Sequence, residues 1–265
     1  MNELSKNQLH YLNMHRRHKR IVAVSRVSIL LAFLFLWEFS ANTGLIDSFI
    51  FSSPSGILKT LAVMSGDGSL FLHTKVTLYE TLVSFLLVIG ISFLTATLLW
   101  IFPTVSEILE PWLVVLNSLP KSALAPLLIV WLGSGSCTII VAGMSVAVFG
   151  SIISMYTAFR ETDSEKIKLI HTLGGGKREA LCYVIFPSSL PSVISILKVN
   201  IGLCLVGVII GEFLAAREGL GYLIIYSSQV FKMDWLLMSI VLLCIMAMAL
   251  YAVIGVVEKV YQKHF

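Results

Sequence analysis

Long apolar runs, separated by short polar punctuation, dominate the chain. Six of them reach the roughly 20 residues a helix needs to cross a hydrocarbon layer of about 30 Å. They fall at about 22–42, 77–102, 108–132, 137–158, 190–214 and 235–258. The pattern predicts an all-α membrane protein with six transmembrane helices. Arg26 and Glu38 bracket the core of the first run, VSILLAFLFLW. A cleaved signal peptide is the alternative there, disfavoured because the leading polar stretch is too long for an n-region and no clean A-x-A site follows. Pro120 and Pro126 interrupt the third run, which frees backbone carbonyls that neighbours or water must satisfy.

The polar punctuation is uneven. SSPSGILKTLAVMSGDGSLFLHT predicts a short amphipathic helix opened by Ser-Pro-Ser, with Ile57, Leu58, Leu61 and Ala62 facing one way and resting on the membrane surface. REGLGYLIIYSSQVFKMD forms a second short, partly apolar segment between the last two spans. The longest connection, 159–189, has an unusual grammar. Ile167, Ile170 and Leu173 recur at helical spacing; Gly174, Gly175 and Gly176 then stop the helix and permit positive φ. KREALCYVI resumes as a second short helix with Ala180, Leu181 and Val184 on one side. Pro187 is predicted to end it, and Pro191 to open the fifth span, where a missing N–H costs nothing. The product is a helix–glycine–helix elbow with an apolar face and a basic rim that includes Lys177. From the residues alone two readings stand level: a docking surface for a soluble partner, or an amphipathic loop lying on the bilayer.

Composition agrees with a lipid solvent. Hydrophobic residues make up 57% of the 265-residue chain and charged residues 13%, against about 25% in an ordinary soluble domain. The length accommodates a basic arm over 1–26 and one transmembrane domain over 27–265. No basic face interleaved with aromatics is present, which excludes nucleic acid as an expected partner. Lys and Arg residues divide thirteen to four between the two sides of the predicted topology, which places both termini and the 159–189 loop in the cytoplasm. The MHRRHKR cluster is read as a topology anchor beside anionic lipid. Cys137, Cys182, Cys204 and Cys244 stand too far apart for a disulfide framework or a zinc site, and Cys204 and Cys244 are read as packing residues. GGGK does not complete a phosphate loop, because His171 and Arg178 stand where Gly and Ser or Thr are required. ATP hydrolysis by this chain is not expected.

LIHTLGGGKREALCYVIFPSSLP resembles the cytoplasmic coupling loop of bacterial ABC importer permeases, with its E-A-A-x-x-x-G, about nine residues, then hydrophobic-x-hydrophobic-P. Gly174 and Pro187 fall on the fixed glycine and proline, Leu173 and Val184 on hydrophobic positions; Lys168, Leu169 and Ile170 replace Glu-Ala-Ala. FSSPSGILKTL, SLPKSALAPLLIVWLGSG and GEFLAAREGLGYLI are similar to further motifs of the nitrate/sulfonate/taurine-type permeases, some of which are associated with thiamine-precursor uptake. The resemblance spans about residues 35–255. It implies a type I ABC importer permease-like bundle whose elbow is a coupling helix. Its implied partners are two ABC ATPase subunits, which bind the ATP and Mg, a second permease copy in a homodimer, and an extracytoplasmic substrate-binding protein. It implies ATPase docking at Ile167, Ile170, Leu173, Gly174, Lys177, Ala180, Leu181, Val184 and Pro187. The implied solute is small and polar or anionic: sulfonate-, nitrate- or taurine-like, or a thiamine precursor.

Charges inside spans need a reason, since each costs an estimated 2.5–3.5 kcal/mol at the helix centre. Glu38, Glu80 and Glu212 fall toward the external ends of their spans; Glu212, inside a family motif, is read as facing the translocation cavity, with capping of a helix contact as the alternative. Lys121 and Lys198 fall deeper, about 20 Å and 12 Å along straight helices. With Asn117, one turn below Lys121, and Asn200, they are read as lining a wet translocation cavity. The alternative is that each lysine pairs with a carboxylate or snorkels. Gly219, Gly221 and Tyr222 are read as a gate or external contact, against the alternative that the glycines only allow close packing. An intramembrane enzyme is disfavoured because no predicted span contains a histidine and no nucleophile–base set stands out at helical spacing. A channel or secondary transporter is the remaining rival, weakened because no inverted halves are visible.

Overall fold

The computed structural model describes residues 6–264, without the side chains of residues 6–13, Arg16, Ala23 and 262–264. Of the basic residues counted above, Lys6, Arg16 and Lys263 lie outside the described side chains. Twelve α-helices are present in that range, with no strand. They are α1 (Lys6–Asn42), α2 (Ser48–Phe51), α3 (Pro54–Gly66), α4 (Ser69–Ile101), α5 (Pro103–Ser118) and α6 (Lys121–Leu132). Then follow α7 (Ser136–Arg160), α8 (Ser164–Thr172), α9 (Lys177–Ala180), α10 (Phe186–Ala215), α11 (Leu220–Gln229) and α12 (Met233–His264). Among the described residues, five helical stretches are long and apolar enough to cross a membrane, and the bent pair α5–α6 makes six if it is one broken span.

α4, α7 and α10 form the centre, and α7 against α10 is the most extensive helix contact. Small residues make that approach possible. A Cβ on Gly207 would lie 2.8 Å from Gly143 Cα, and one on Gly211 3.0 Å from Ile139 Cα. Lipid tails are as apolar as the helices, so close van der Waals fit rather than hydrophobic exclusion holds such a seam. Hydroxyls join α4 to α7: Ser84 Oγ donates to Glu80 O at 2.7 Å and also reaches Ile140 O at 3.1 Å. Around this centre, Phe159, Ile152, Met155, Leu99 and Ile185 form one buried cluster and Met64, Leu220, Leu223 and Met238 another. α1 touches the body mainly through α2 and α3 and leaves most of its apolar surface free.

Four expectations change. The third span is not a continuous rod: α5 and α6 meet at 93° across Leu119 and Pro120, so a depth measured along one axis does not apply to Lys121, and Asn117 and Lys121 belong to different helices. Pro187 does not end a helix. A π turn over Leu181–Ile185, closed by Phe186 N–H donating to Leu181 O, carries α9 into α10 and sets Pro187 in the first turn of α10. Pro191 therefore lies inside α10. The amphipathic α3, capped by Ser53 Oγ accepting from Gly56 N–H at 3.1 Å, turns Ile57, Thr60 and Met64 into the protein. Leu58 is exposed, so α3 packs on the bundle through a face offset from the expected one. Cys204 is buried as expected, whereas Cys244 faces outward.

Candidate functional site

The elbow is built by two caps. Asp163 accepts from Glu165 N–H at 2.9 Å and starts α8. At its end, Gly175 N–H donates to Ile170 O and Gly174 N–H to His171 O, the paired bonds of a helix stop whose turning residue must be left-handed. Gly174 supplies this with φ +84°. Gly175 is required for space instead, because a Cβ there would lie 2.6 Å from Ile170 Cγ2. Gly176 N–H then donates to Glu179 Oε2 at 2.8 Å, which fixes the start of α9.

The expected docking residues differ in exposure. Leu173 is 76% exposed and Gly174 and Pro187 are exposed, while Ile167, Ile170 and Val184 are half-buried. Ala180 and Leu181 are buried, so the face assigned to them points into the protein. Ile167 packs against the buried cluster that holds Phe159 and Ile185, and Lys177 Nζ donates to Ile101 O at 2.9 Å, tying the elbow to the end of α4. Leu169 and Tyr183, which the sequence reading passed over, are 59% and 74% exposed. Leu169 stands four residues before Leu173, so that pair was within reach of a helical-period search.

The mid-depth residues are brought together only in part. Asn200 is buried, donates to Ser151 Oγ at 2.7 Å, and borders a cavity of about 220 Å3 with Gly150, Ser154 and Ser195. Asn117 lies against Gly150 from the α5 side. Lys121, at the start of α6, donates to Leu116 O and sits 5.2 Å from the Phe149 ring centroid. Lys198 pairs with Glu258 of α12 and sits 5.4 Å from the Tyr251 ring centroid. Neither lysine borders the Asn200 cavity. For Lys198 the carboxylate-pairing alternative is the one observed.

At the opposite end, Glu212 clasps the α10–α11 turn. Thr77 Oγ1 donates to Glu212 Oε1 and Gly221 N–H to Glu212 Oε2, both at 2.6 Å. Leu220 N–H donates to Thr77 Oγ1 at 2.8 Å, and Gly219 N–H to His73 Nδ1 at 2.9 Å. A Cβ on Gly219, whose φ is +115°, would lie 2.4 Å from the Glu212 carboxyl carbon; one on Gly221 would lie 2.7 Å from Glu212 Oε2. The two glycines thus make room for a buried carboxylate, the close-packing role. Tyr222 stacks between His73 and Tyr226. Beside Glu212 stands Glu80, fully buried. His73, Thr77, Glu80 and Ser84 recur at helical spacing, a polar stripe on α4 that the sequence reading did not use.

The chain has relatives among proteins already known. The Probable ABC transporter permease protein of Haemophilus influenzae is 29% identical over 82% of this chain and 88% of its own. The formylaminopyrimidine transport permease protein of Halalkalibacterium halodurans is 28% identical over 72% and 76%. The taurine transport system permease protein of Escherichia coli is 24% identical over 84% and 83%. The inward-facing MetNI methionine ABC transporter matches 71% of this chain and 94% of its own with a TM-score of 0.64 at 17% identity, a likeness of fold. The family model for the binding-protein-dependent transport system inner membrane component matches residues 88–265. The chain therefore belongs to that family of importer permeases.

Proposed function

We propose that this permease imports a small polar organic solute, released to it by an external binding protein, and is driven by two separate ATPase subunits that bind the ATP and Mg and dock on the elbow. Two copies of the chain pair to form the path, and both termini and the elbow lie in the cytoplasm. The observation that carries this reading is the elbow itself: Leu169, Leu173 and Tyr183 are exposed on a segment whose caps and whose Lys177 contact hold it to the bundle. An apolar group held outward on a rigid base suits a protein groove better than a bilayer surface. Closure of the ATPases would move α8 and α9, and α10 continues from α9 without a break, so the displacement reaches the membrane interior as a rigid-body motion.

The solute is inferred from charge. Lys198 is paired with Glu258 and so is not free to attract an anion, and Lys121 keeps its charge but does not border the Asn200 cavity. Polar hydrogen bonding from Asn200 and Asn117 suits a neutral heterocycle or amine better than a sulfonate.

Co-purification tests the docking reading. The wild-type permease should carry an ATPase subunit through affinity capture, and the Leu169→Asp/Leu173→Asp double variant should lose it while folding normally. Retention of the ATPase by the folded double variant would refute the assignment of the elbow.

A further inference from the structure

α1 is fastened to the rest of the chain near its last turns. Glu38 Oε2 accepts from Ser55 N–H at 3.0 Å, and the short α2 touches both α1 and α12. Between these three helices lies a cavity of about 500 Å3. Phe33, Leu36, Trp37 and Ser40 line it at i, i+3, i+4 and i+7 of α1, and Met233, Leu236 and Leu237 at i, i+3 and i+4 of α12. Each helix thus presents one face to the gap. Phe33 to Ser40 covers about 10 Å of helix axis, most of the roughly 15 Å half-thickness of a hydrocarbon layer. α1 and α12 are both long and apolar enough to cross that layer, so the gap opens on lipid. Left empty, its walls would forfeit their dispersion contacts, and water would find few polar partners there.

A polar cavity adjoins the apolar one. Met233 lines both, and α2 divides them: Ile50 and Phe51 face the first, Ser48 and Phe49 a second of about 260 Å3. Lys232 borders this second cavity. It is exposed, its Nζ stands 4.1 Å from the Trp235 ring centroid, and among the described residues no carboxylate forms an ion pair with it. Asp234, the acidic residue of the same lining, is engaged by Ser52 Oγ, which donates to its Oδ1.

We propose that the two cavities form one site for an anionic phospholipid, with an acyl chain between α1 and α12 and the phosphate at Lys232. An apolar trough that meets a free ammonium at its end matches the two parts of such a molecule. The Trp235 ring holds the lysine at the mouth, and a lysine beside an anionic headgroup adds a preference over a zwitterionic one. The lipid would serve as packing for α1, whose own contacts with the bundle are few.

The test uses the full-length permease, purified in detergent and stripped of lipid. Dioleoylphosphatidylglycerol is the anionic probe, dioleoylphosphatidylcholine its zwitterionic control and inorganic phosphate the headgroup charge alone. Thermal unfolding should show a saturable rise with phosphatidylglycerol, at a lower concentration than with phosphatidylcholine, and none with phosphate. Lys232→Gln should raise the half-saturating concentration of phosphatidylglycerol about fivefold and leave that of phosphatidylcholine unchanged. Leu36→Trp, which fills the apolar cavity from an exposed position, should weaken both lipids at least fivefold. Equal response to the two lipids overturns the proposal, as does a rise that phosphate reproduces or that neither variant alters. If Leu36→Trp does not fold, Leu237→Phe should weaken both lipids at least twofold, and an unchanged response refutes the site. Leu36→benzoylphenylalanine, irradiated in native membranes, identifies the occupant: an added phospholipid mass supports the site, and a cross-link to a second copy or to another protein overturns it. Binding is read on the permease alone, so its outcome is independent of ATPase capture by the elbow.

Discussion

Replacing Gly207 by alanine tests the central seam most directly. The added methyl would lie 2.8 Å from Gly143 Cα, 2.9 Å from Val146 Cγ2 and 3.0 Å from Ala142 O. Comfortable carbon contacts lie at about 3.5–4.0 Å, so α7 and α10 must part locally by roughly 0.7–1.2 Å. A gap of about that size forfeits a quarter to a half of the attraction between the facing atoms. Forced overpacking of this kind typically costs about 1–3 kcal/mol. Alanine also favours the helix over glycine by up to about 1 kcal/mol, and that gain must be separated from the clash. Gly202 provides the control: it lies on the same helix, and a Cβ there meets nothing within 4 Å. Gly202→Ala should therefore show the propensity gain alone, and Gly207→Ala should fall about 1–3 kcal/mol below it. Denaturant or thermal unfolding of both variants in identical micelles, followed by helical circular dichroism, reads the difference. Equal stability of the two variants would refute the claim that bare backbone contact sets the spacing of α7 and α10.

Other consequences can be checked with the same preparations. Gly219→Ala, strained at φ +115° and driven into the Glu212 carboxylate, should destabilise more than Gly44→Ala, which carries only backbone strain at φ +74° of about 1–3 kcal/mol; equal melting losses would refute the clasp. Lys198→Met should destabilise by leaving Glu258 without its partner, and the Lys198→Met/Glu258→Leu double variant should recover stability and still transport; loss of uptake by the folded double variant would return Lys198 to the pathway. Tyr156→Phe removes the 2.6 Å contact with Ser106 that ties α5 to α7 and should cost about 1 kcal/mol in unfolding free energy; no change would mean that the α5–α7 junction is held by apolar packing alone.

Local signals were legible in the sequence wherever local physics decided the outcome. Gly174 stops α8 because only glycine takes its φ without cost, and the apolar runs had the length a bilayer demands. The 93° turn at Leu119–Pro120 was not legible, since a proline marks a break but the packing of α5 and α6 against α7 chooses the angle. Pro187 misled for a related reason: a π turn absorbs the lost hydrogen bond, and nothing within LCYVI announces one. The partner of Lys198 lies 60 residues away on α12, beyond any periodicity argument. Ala180 and Leu181 share the apolar character of Leu173, and only the tertiary fold separates inward from outward. Glu80 and Glu212 were each visible as charges in apolar runs. Their adjacency depends on α4 crossing α10.

From Lys177 to Ala215 the backbone runs 39 residues as one helical column, about 58 Å end to end, whose hydrogen-bond ladder is altered only at the π turn and at Pro187 and Pro191, which lack an N–H. Its first turn is pinned beside Ile101, and its last turn holds the Glu212 carboxylate. Such a column transmits thrust along its axis with little compliance. On the proposed docking of an ATPase at the elbow, a shift there would be expected at the other end of the column, where the Gly219–Gly221 turn is bonded to it. The two mouths of the conduit are accordingly geared to one another within a single polypeptide, before any second subunit is considered.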